Sequence, residues 1–232
     1  CEHPCEAQCR RRMVDDAVNI CGLKRFAVDH AAPAAPPERA ADTGKTVAVI
    51  GGGPGGMTAA YYLSLMGHQV TVYEQRPKLG GMLRYGIPDY RLPQEILDRD
   101  IDHILSAGVR VHTGVSIGRD LTMEDIQKSF DAVYIAIGAH NDKKLGLEGE
   151  TSKNVVSAVE LLRGIGEGKA PDFTGKKVCV VGGGNVSMDA TRTALRLGAE
   201  RVTCGYRRRV EDMTALAEEP EEAMPDACQV IP

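Results

Sequence analysis

Gly51, Gly53 and Gly56 stand in the spacing G-x-G-x-x-G, with Glu74 downstream. Glycines so spaced between a strand and a helix suit one task, the holding of a pyrophosphate. Gly51 makes a tight turn, Gly53 lets the backbone approach the phosphates, and Gly56 lets a helix pack close on the strand. Pro54 and Gly55 open that helix, whose free N–H groups and positive dipole end favour phosphate oxygens. Glu74, at the end of the next strand, is suited to accept from a ribose hydroxyl. A second turn reads Gly182-Gly183-Gly184-Asn185-Val186-Ser187-Met188-Asp189, with Ser187 in the place of the third glycine and a looser helix–strand contact expected there. Its second strand ends in Tyr206-Arg207-Arg208-Arg209 instead of an acid. A carboxylate suits a bare ribose diol, whereas guanidinium groups suit a 2′-phosphate. The first turn is therefore expected to take FAD or NAD, and the second NADP(H), with NAD(H) possible.

Cysteines supply the other chemistry. Of seven, Cys1, Cys5, Cys9 and Cys21 fall at the start of the chain, with Arg10, Arg11 and Arg12 directly after Cys9. Zinc knuckles of the CxxC type are absent. Disulfides are rare in the cytosol, where dinucleotide-dependent enzymes typically work. Thiolates on short loops beside cationic residues suit an iron–sulfur cluster. An iron–sulfur cluster, a zinc site and no metal at all remain open on these residues, the first being favoured. Cys179 and Cys204, in or beside apolar strands, read as small buried hydrophobes. His3 and His30 read as surface or loop residues.

The elements that must position these residues follow the hydrophobic pattern. Strands are expected at residues 47–50, 70–73, 109–113, 178–181 and 201–205, and a buried parallel strand at 131–137. Helical spacing covers residues 15–28, 54–66, 95–107, 121–130, 159–165 and 190–197. The paired glycines Gly80 and Gly81 open an irregular stretch in which backbone can approach a ligand closely. Gly138 follows the carboxyl end of a strand, the sheet edge where ligands bind in open α/β sheets. The fold class is α/β: two Rossmann-like dinucleotide-binding units preceded by a short α-helical iron–sulfur segment. The expected boundaries are an iron–sulfur segment at 1–30, an Ala/Pro-rich linker at 31–44, an FAD-binding domain at 45–150 and an NAD(P)H-binding domain at 151–232.

Bulk properties exclude several classes. The 232 residues are 43% hydrophobic and 26% charged, with a net charge of −4, so no bulk electrostatic pull towards nucleic acid is expected. No apolar run is long enough to span a membrane. Aromatics are 4% and Trp is absent, which argues against a stacking platform for single strands. No CxxC is present to serve a flavin disulfide reductase.

The stretches C-E-H-P-C-E-A-Q-C, V-I-G-G-G-P-G-G, E-Q-R-P-K-L-G-G-M-L-R-Y-G-I-P-D-Y-R-L-P, V-V-G-G-G-N-V-S-M-D and C-G-Y-R-R-R together resemble the glutamate synthase small (beta) subunit family. That family includes the flavin subunits of electron-bifurcating complexes. The resemblance runs over nearly the whole chain. It implies an electron-transfer flavoprotein subunit that moves electrons between NAD(P)H, FAD and [4Fe-4S] clusters, the alternative being a truncated, non-catalytic assembly or cluster-holding module of such a complex. The partner would be a larger catalytic oxidoreductase subunit or a ferredoxin-like carrier, in the cytoplasm. It implies that Gly51, Gly53, Gly55 and Gly56 hold the FAD pyrophosphate, and that Gly81, Leu83 and Arg84 lie towards the flavin with Val115 near the adenine. Gly182, Gly184, Asn185, Val186 and Asp189 would line the nicotinamide cofactor, with Arg207 and Arg208 on the 2′-phosphate. It further implies two clusters, Cys9 serving one and Cys1, Cys5 and Cys21 the other, with the remaining ligands before residue 1. A return segment after Pro232 would complete the FAD half.

Overall fold

The computed structural model describes residues 3–32, 34–209, 212–215 and 228–231. The chain divides into two compact units, Cys1–Ala35 and Pro36–Pro232.

The first unit is helical. Helix α1 covers Pro4–Ala7, a 3-10 turn covers Arg10–Met13, and helix α2 covers Ile20–His30. Helical spacing from residue 15 is realised only from Ile20. Asn19 explains the late start, because its side chain accepts from the Gly22 N–H at 2.7 Å and caps the helix there. Asp15 is instead tied to Arg11 by a two-pronged ion pair that closes the preceding turn. The Glu6 carboxylate accepts from the Cys21 N–H at 2.7 Å and joins α1 to α2. None of these helices contains a buried residue.

The second unit carries two parallel sheets. Strands β1 (Thr46–Ile50), β2 (Gln69–Glu74), β3 (Arg110–Thr113) and β4 (Ala132–Ile135) lie in the order β3-β2-β1-β4. Helix α3 (Pro54–Leu65) crosses from β1 to β2, α4 (Met82–Tyr85) is a single turn within the loop after β2, and α5 (Gln94–Leu105) leads to β3. Helix α6 (Met123–Ser129) precedes β4 and is held by a capping box between Thr122 and Asp125. Val49, Val70 and Val72 on the sheet meet Met57, Ala60, Leu97 and Ile101 from α3 and α5, and this is the main core. Helix α7 (Ala158–Gly166) leads to the second sheet, β5 (Lys177–Val181), β6 (Arg201–Gly205) and β7 (Cys228–Ile231), in that order. Helix α8 (Asn185–Arg196) crosses from β5 to β6. Its buried face centres on Met188 against Cys204, with Met213 and Ala215 beside them.

Two expectations of burial fail, and both for the same reason. The strand read as buried is β4, yet Tyr134 is 47% and Ile135 59% exposed. Among the described residues it pairs only with β1 and lies at the rim of its sheet. Cys179 is likewise exposed, on β5 at the rim of the second sheet, whereas Cys204 on central β6 is buried. Apolar composition was shared by central and rim strands, and only pairing order separates them. No helix among the described residues is long and apolar enough to cross a membrane.

Candidate functional site

The first Gly-rich turn is built by backbone contact. Gly51 adopts φ 107°, and its N–H donates to the Tyr73 carbonyl at 2.8 Å, binding the turn to β2. A Cβ at Gly56 would lie 1.9 Å from the Gly51 carbonyl oxygen, so α3 meets the turn too closely for any side chain. Gly53 and Gly55 differ. A Cβ at Gly53 would first meet Gly81 Cα at 3.6 Å, and one at Gly55 would meet nothing within 4 Å. Their open sides face a cavity of about 670 Å³ at the carboxyl ends of β1, β2 and β4. Gly51, Gly53, Pro54, Gly55, Glu74, Gly81, Val115 and Gly138 all line it. This is a cradle bounded by backbone at the start of a helix, and it fits the pyrophosphate and ribose of a dinucleotide.

Glu74 is buried at the end of β2. Its Oε2 accepts from the Gly52 N–H at 2.7 Å and its Oε1 from the Arg76 N–H at 2.8 Å. The carboxylate therefore fastens the Gly-rich turn to the strand end while lining the cavity. Gly56, Gly80, Leu83 and Arg84 are not among the cavity-lining residues. Leu83 packs against the core. Arg84 is 3% exposed, and its guanidinium is spent on the Leu79 carbonyl, Gln94 and Asp98. Gly80, at φ 117°, turns the chain so that Gly81 and Met82 reach the cavity.

Sequence reasoning missed Arg76, Met82, Tyr134, Ile137, His140 and Asn141, all of which line the cavity. The last four follow from the placement of β4 beside β1, the same strand-end rule that singled out Gly138. Met82 adjoins Gly81 and Arg76 stands two residues after Glu74, both of which were singled out.

The second turn repeats the first. Gly182 adopts φ 148°, and its N–H donates to the Gly205 carbonyl at 2.9 Å. The side chain of Ser187 lies against Gly182, its Oγ 2.4 Å from where a Cβ would stand. A serine in the third position is thus accommodated by the glycine opposite. Gly184 caps α8, with Asn185 and Val186 as its first residues. Arg207 and Arg208 are exposed and form no ion pair among the described residues, whereas Arg209 pairs with Asp212. Asp189 lies one turn into α8, where it is ion-paired to Arg91. Tyr206, Thr214 and Ala215 were not foreseen. The Tyr206 ring covers Gly183, Thr214 Oγ1 stands 3.5 Å from a Cβ at Gly184, and the Ala215 N–H donates to the Gly183 carbonyl at 2.9 Å. No spacing rule signals a segment that folds back onto its own turn.

In the first unit Cys1 lies outside the described residues. Cys5 is exposed, and Cys9 and Cys21 are partly exposed. Among the described residues no three His, Cys, Asp or Glu side chains come together as a metal site. Backbone N–H groups of Val18, then of Arg11 and Arg12, together with the Arg11 charge, hold the Cys9 thiol below the ordinary value. Such donors suit a metal-bound or cluster-bound sulfur.

Residues 45–227 match the family model described as pyridine nucleotide-disulphide oxidoreductase. The chain belongs to this family. It is 46% identical over 225 residues to the NADPH-Fe(3+) oxidoreductase subunit beta of Geobacter sulfurreducens, covering 93% of this chain and 33% of that one. It is 34% identical over 232 residues to the small chain of glutamate synthase [NADPH] of Escherichia coli, covering 94% of this chain and 49% of that one. The resemblance to the glutamate synthase small-subunit group read from the motifs therefore holds. The chain spans about a third to a half of the length of these relatives. FprA of Mycobacterium tuberculosis, solved in complex with NADPH, superposes with a TM-score of 0.66 at 22% identity, over 79% of this chain and 47% of that one. That likeness establishes the Rossmann-like fold.

Proposed function

We propose that this chain is the nicotinamide–flavin part of an NADPH-dependent oxidoreductase subunit, taking FAD at the first turn and NADP(H) at the second. The observation that carries the reading is the contrast in charge between two like turns. One ends in a buried, backbone-held carboxylate at a cavity, and the other in two exposed arginines that form no ion pair among the described residues. A ribose diol and a 2′-phosphate are the ligands those ends suit. Bound FAD supplies the exchange between a two-electron hydride and single electrons. The chain's own residues bind and orient: Gly53 and Gly55 leave room for phosphates, Glu74 is directed to a ribose, and Gly184 with α8 faces the second pyrophosphate. In this reading Cys1, Cys5, Cys9 and Cys21 hold [4Fe-4S] clusters together with ligands outside this chain, and a larger partner subunit or a ferredoxin-like carrier exchanges electrons with them. Two relatives, an NADPH-Fe(3+) oxidoreductase subunit and a glutamate synthase small chain, differ in the reaction they are named for and so support the idea that the partner sets the final substrate.

The test is anaerobic titration of the flavin-loaded full chain with NADPH and NADH, on wild type and on Arg207→Ala/Arg208→Ala. NADPH bleaches the flavin bands, and the double variant raises the apparent constant for NADPH about tenfold or more while leaving that for NADH within twofold. Failure to bind flavin, or equal loss for both nucleotides, overturns the assignment.

A further inference from the structure

The loop between α4 and α5 is an arm with few degrees of freedom. Pro88 and Pro93 fix two of its backbone angles. Asp89 Oδ1 accepts from the Gln94 N–H at 3.0 Å at the start of α5, and the Arg91 N–H returns to the Pro88 carbonyl at 2.9 Å. Leu92 packs against the core of the first sheet. The arm therefore belongs mechanically to the FAD half, and it begins a few residues after Gly81 and Met82 in the cavity wall.

Its tip lies on the other half. Arg91 is ion-paired to Asp189 on α8, and the Tyr90 hydroxyl donates to Asp189 Oδ1 at 3.4 Å. The guanidinium groups of Arg192 and Arg196 stand over the Tyr90 ring at 5.1 and 4.2 Å, and that of Arg91 at 5.7 Å. Asp189, Arg192 and Arg196 form one stripe along α8, the helix whose N-terminus faces the second dinucleotide turn. A second ion pair, Arg76 with Glu167, joins the end of β2 to the residue after α7, where Lys169 also reaches Glu167 at 3.0 Å. Gly166 lets α7 press on α4, since a Cβ there would lie 2.7 Å from the Arg84 carbonyl.

We propose that Arg91 and Asp189 are positioning residues: the 88–93 arm clamps α8 and thereby sets the separation between the flavin and nicotinamide sites. This rests on the functional reading above and reassigns Asp189 from cofactor contact to clamp. Both ends of the pair are fixed, one by prolines and core packing and the other by a helix. Replacing Arg91 loosens the arm's hold on α8 while leaving the residues of both Gly-rich turns unsubstituted. Misplacing reacting atoms by about 1 Å costs about 100-fold in rate, so the effect belongs in the reduction step and not in binding.

The experiment compares wild type, Arg91→Ala and the charge exchange Arg91→Asp/Asp189→Arg. In the full chain without cofactors, amide hydrogen exchange of peptides covering 86–93 and 185–196 accelerates in Arg91→Ala and is restored in the exchange variant. In the flavin-loaded chain, the limiting rate of flavin bleaching by NADPH falls about 10- to 100-fold in Arg91→Ala. The nucleotide dissociation constant stays within twofold, and the exchange variant recovers at least part of the rate. Unchanged amide exchange overturns the clamp. A weakened nucleotide constant with an intact limiting rate returns Asp189 to the cofactor and also overturns it. If NADPH fails to bleach the wild-type flavin, the functional reading falls and the positioning role with it, while the exchange data still decide whether the arm is held.

Discussion

Replacing Glu74 by Gln separates two roles that one side chain carries. The residue is 6% exposed, and its two oxygens accept from the Gly52 N–H at 2.7 Å and the Arg76 N–H at 2.8 Å. Gln keeps one carbonyl oxygen and turns an NH₂ group towards the other donor, so one backbone N–H loses its partner. An unpaired buried donor costs about 1–3 kcal/mol, and the surviving bond is weaker without the acceptor's charge. In a chain of this size each kcal/mol lowers Tm by about 2–4 °C, so the middle of that range gives a melt about 4–8 °C lower. Glu74→Ala orphans both donors and should lower it further. The assay is a circular dichroism melt of the flavin-free chain, followed by flavin titration of each variant. A Gln variant that melts with wild type while losing flavin would refute the reasoning, because the carboxylate would then serve the ribose alone and not the turn.

Gly56→Ala forces a Cβ to within 1.9 Å of the Gly51 carbonyl oxygen, and its melt should fall by several degrees, as overpacking costs about 1–3 kcal/mol. Gly55→Ala meets nothing within 4 Å, so its melt should match or slightly exceed wild type while flavin titration shows weaker binding. Asp131 tests the other end of the sheet: the Thr46 N–H and hydroxyl and the Lys45 ammonium hold its carboxyl down to about 2. Its folded value is below the unfolded one near about 4, so its contribution is full above that pH and declines as pH falls towards 2. The difference in Tm between wild type and Asp131→Asn should therefore be constant above about pH 5 and shrink below about pH 4, read by melts at each pH.

Legibility followed how local each cause was. The two turns were readable because each needs particular residue types at fixed spacing. The capping box at Thr122 and Asp125 was equally local. The exposure of Cys179 and Tyr134 was not readable, because it depends on which strand finishes at a sheet rim. The site divides the same way. Gly53, Gly55, Glu74, Gly81, Val115 and Gly138 do line one cavity. Arg84 is adjacent in sequence but is drawn to Gln94 and Asp98 on the far side of the loop. Tyr90 and Arg91 were visible only as part of a motif, because their partners on α8 lie about a hundred residues on.

Ligand contact alone does not explain that motif. Gly80 and Gly81, with positive φ, turn the loop so that its first residues reach the cavity. Leu92 seats it on the core, and Pro88 and Pro93 stiffen what lies between. A stretch that served the flavin alone would need none of the features beyond Tyr85. A stretch that served only to join the halves would need no glycine pair at the cavity. Both sets occur together because one short segment meets the first cradle at its start and α8 at its tip. The spacing of the two sites is thus set by a segment that belongs to neither Gly-rich turn, and substitutions between residues 86 and 93 should act on the step that joins the sites before they act on either site alone.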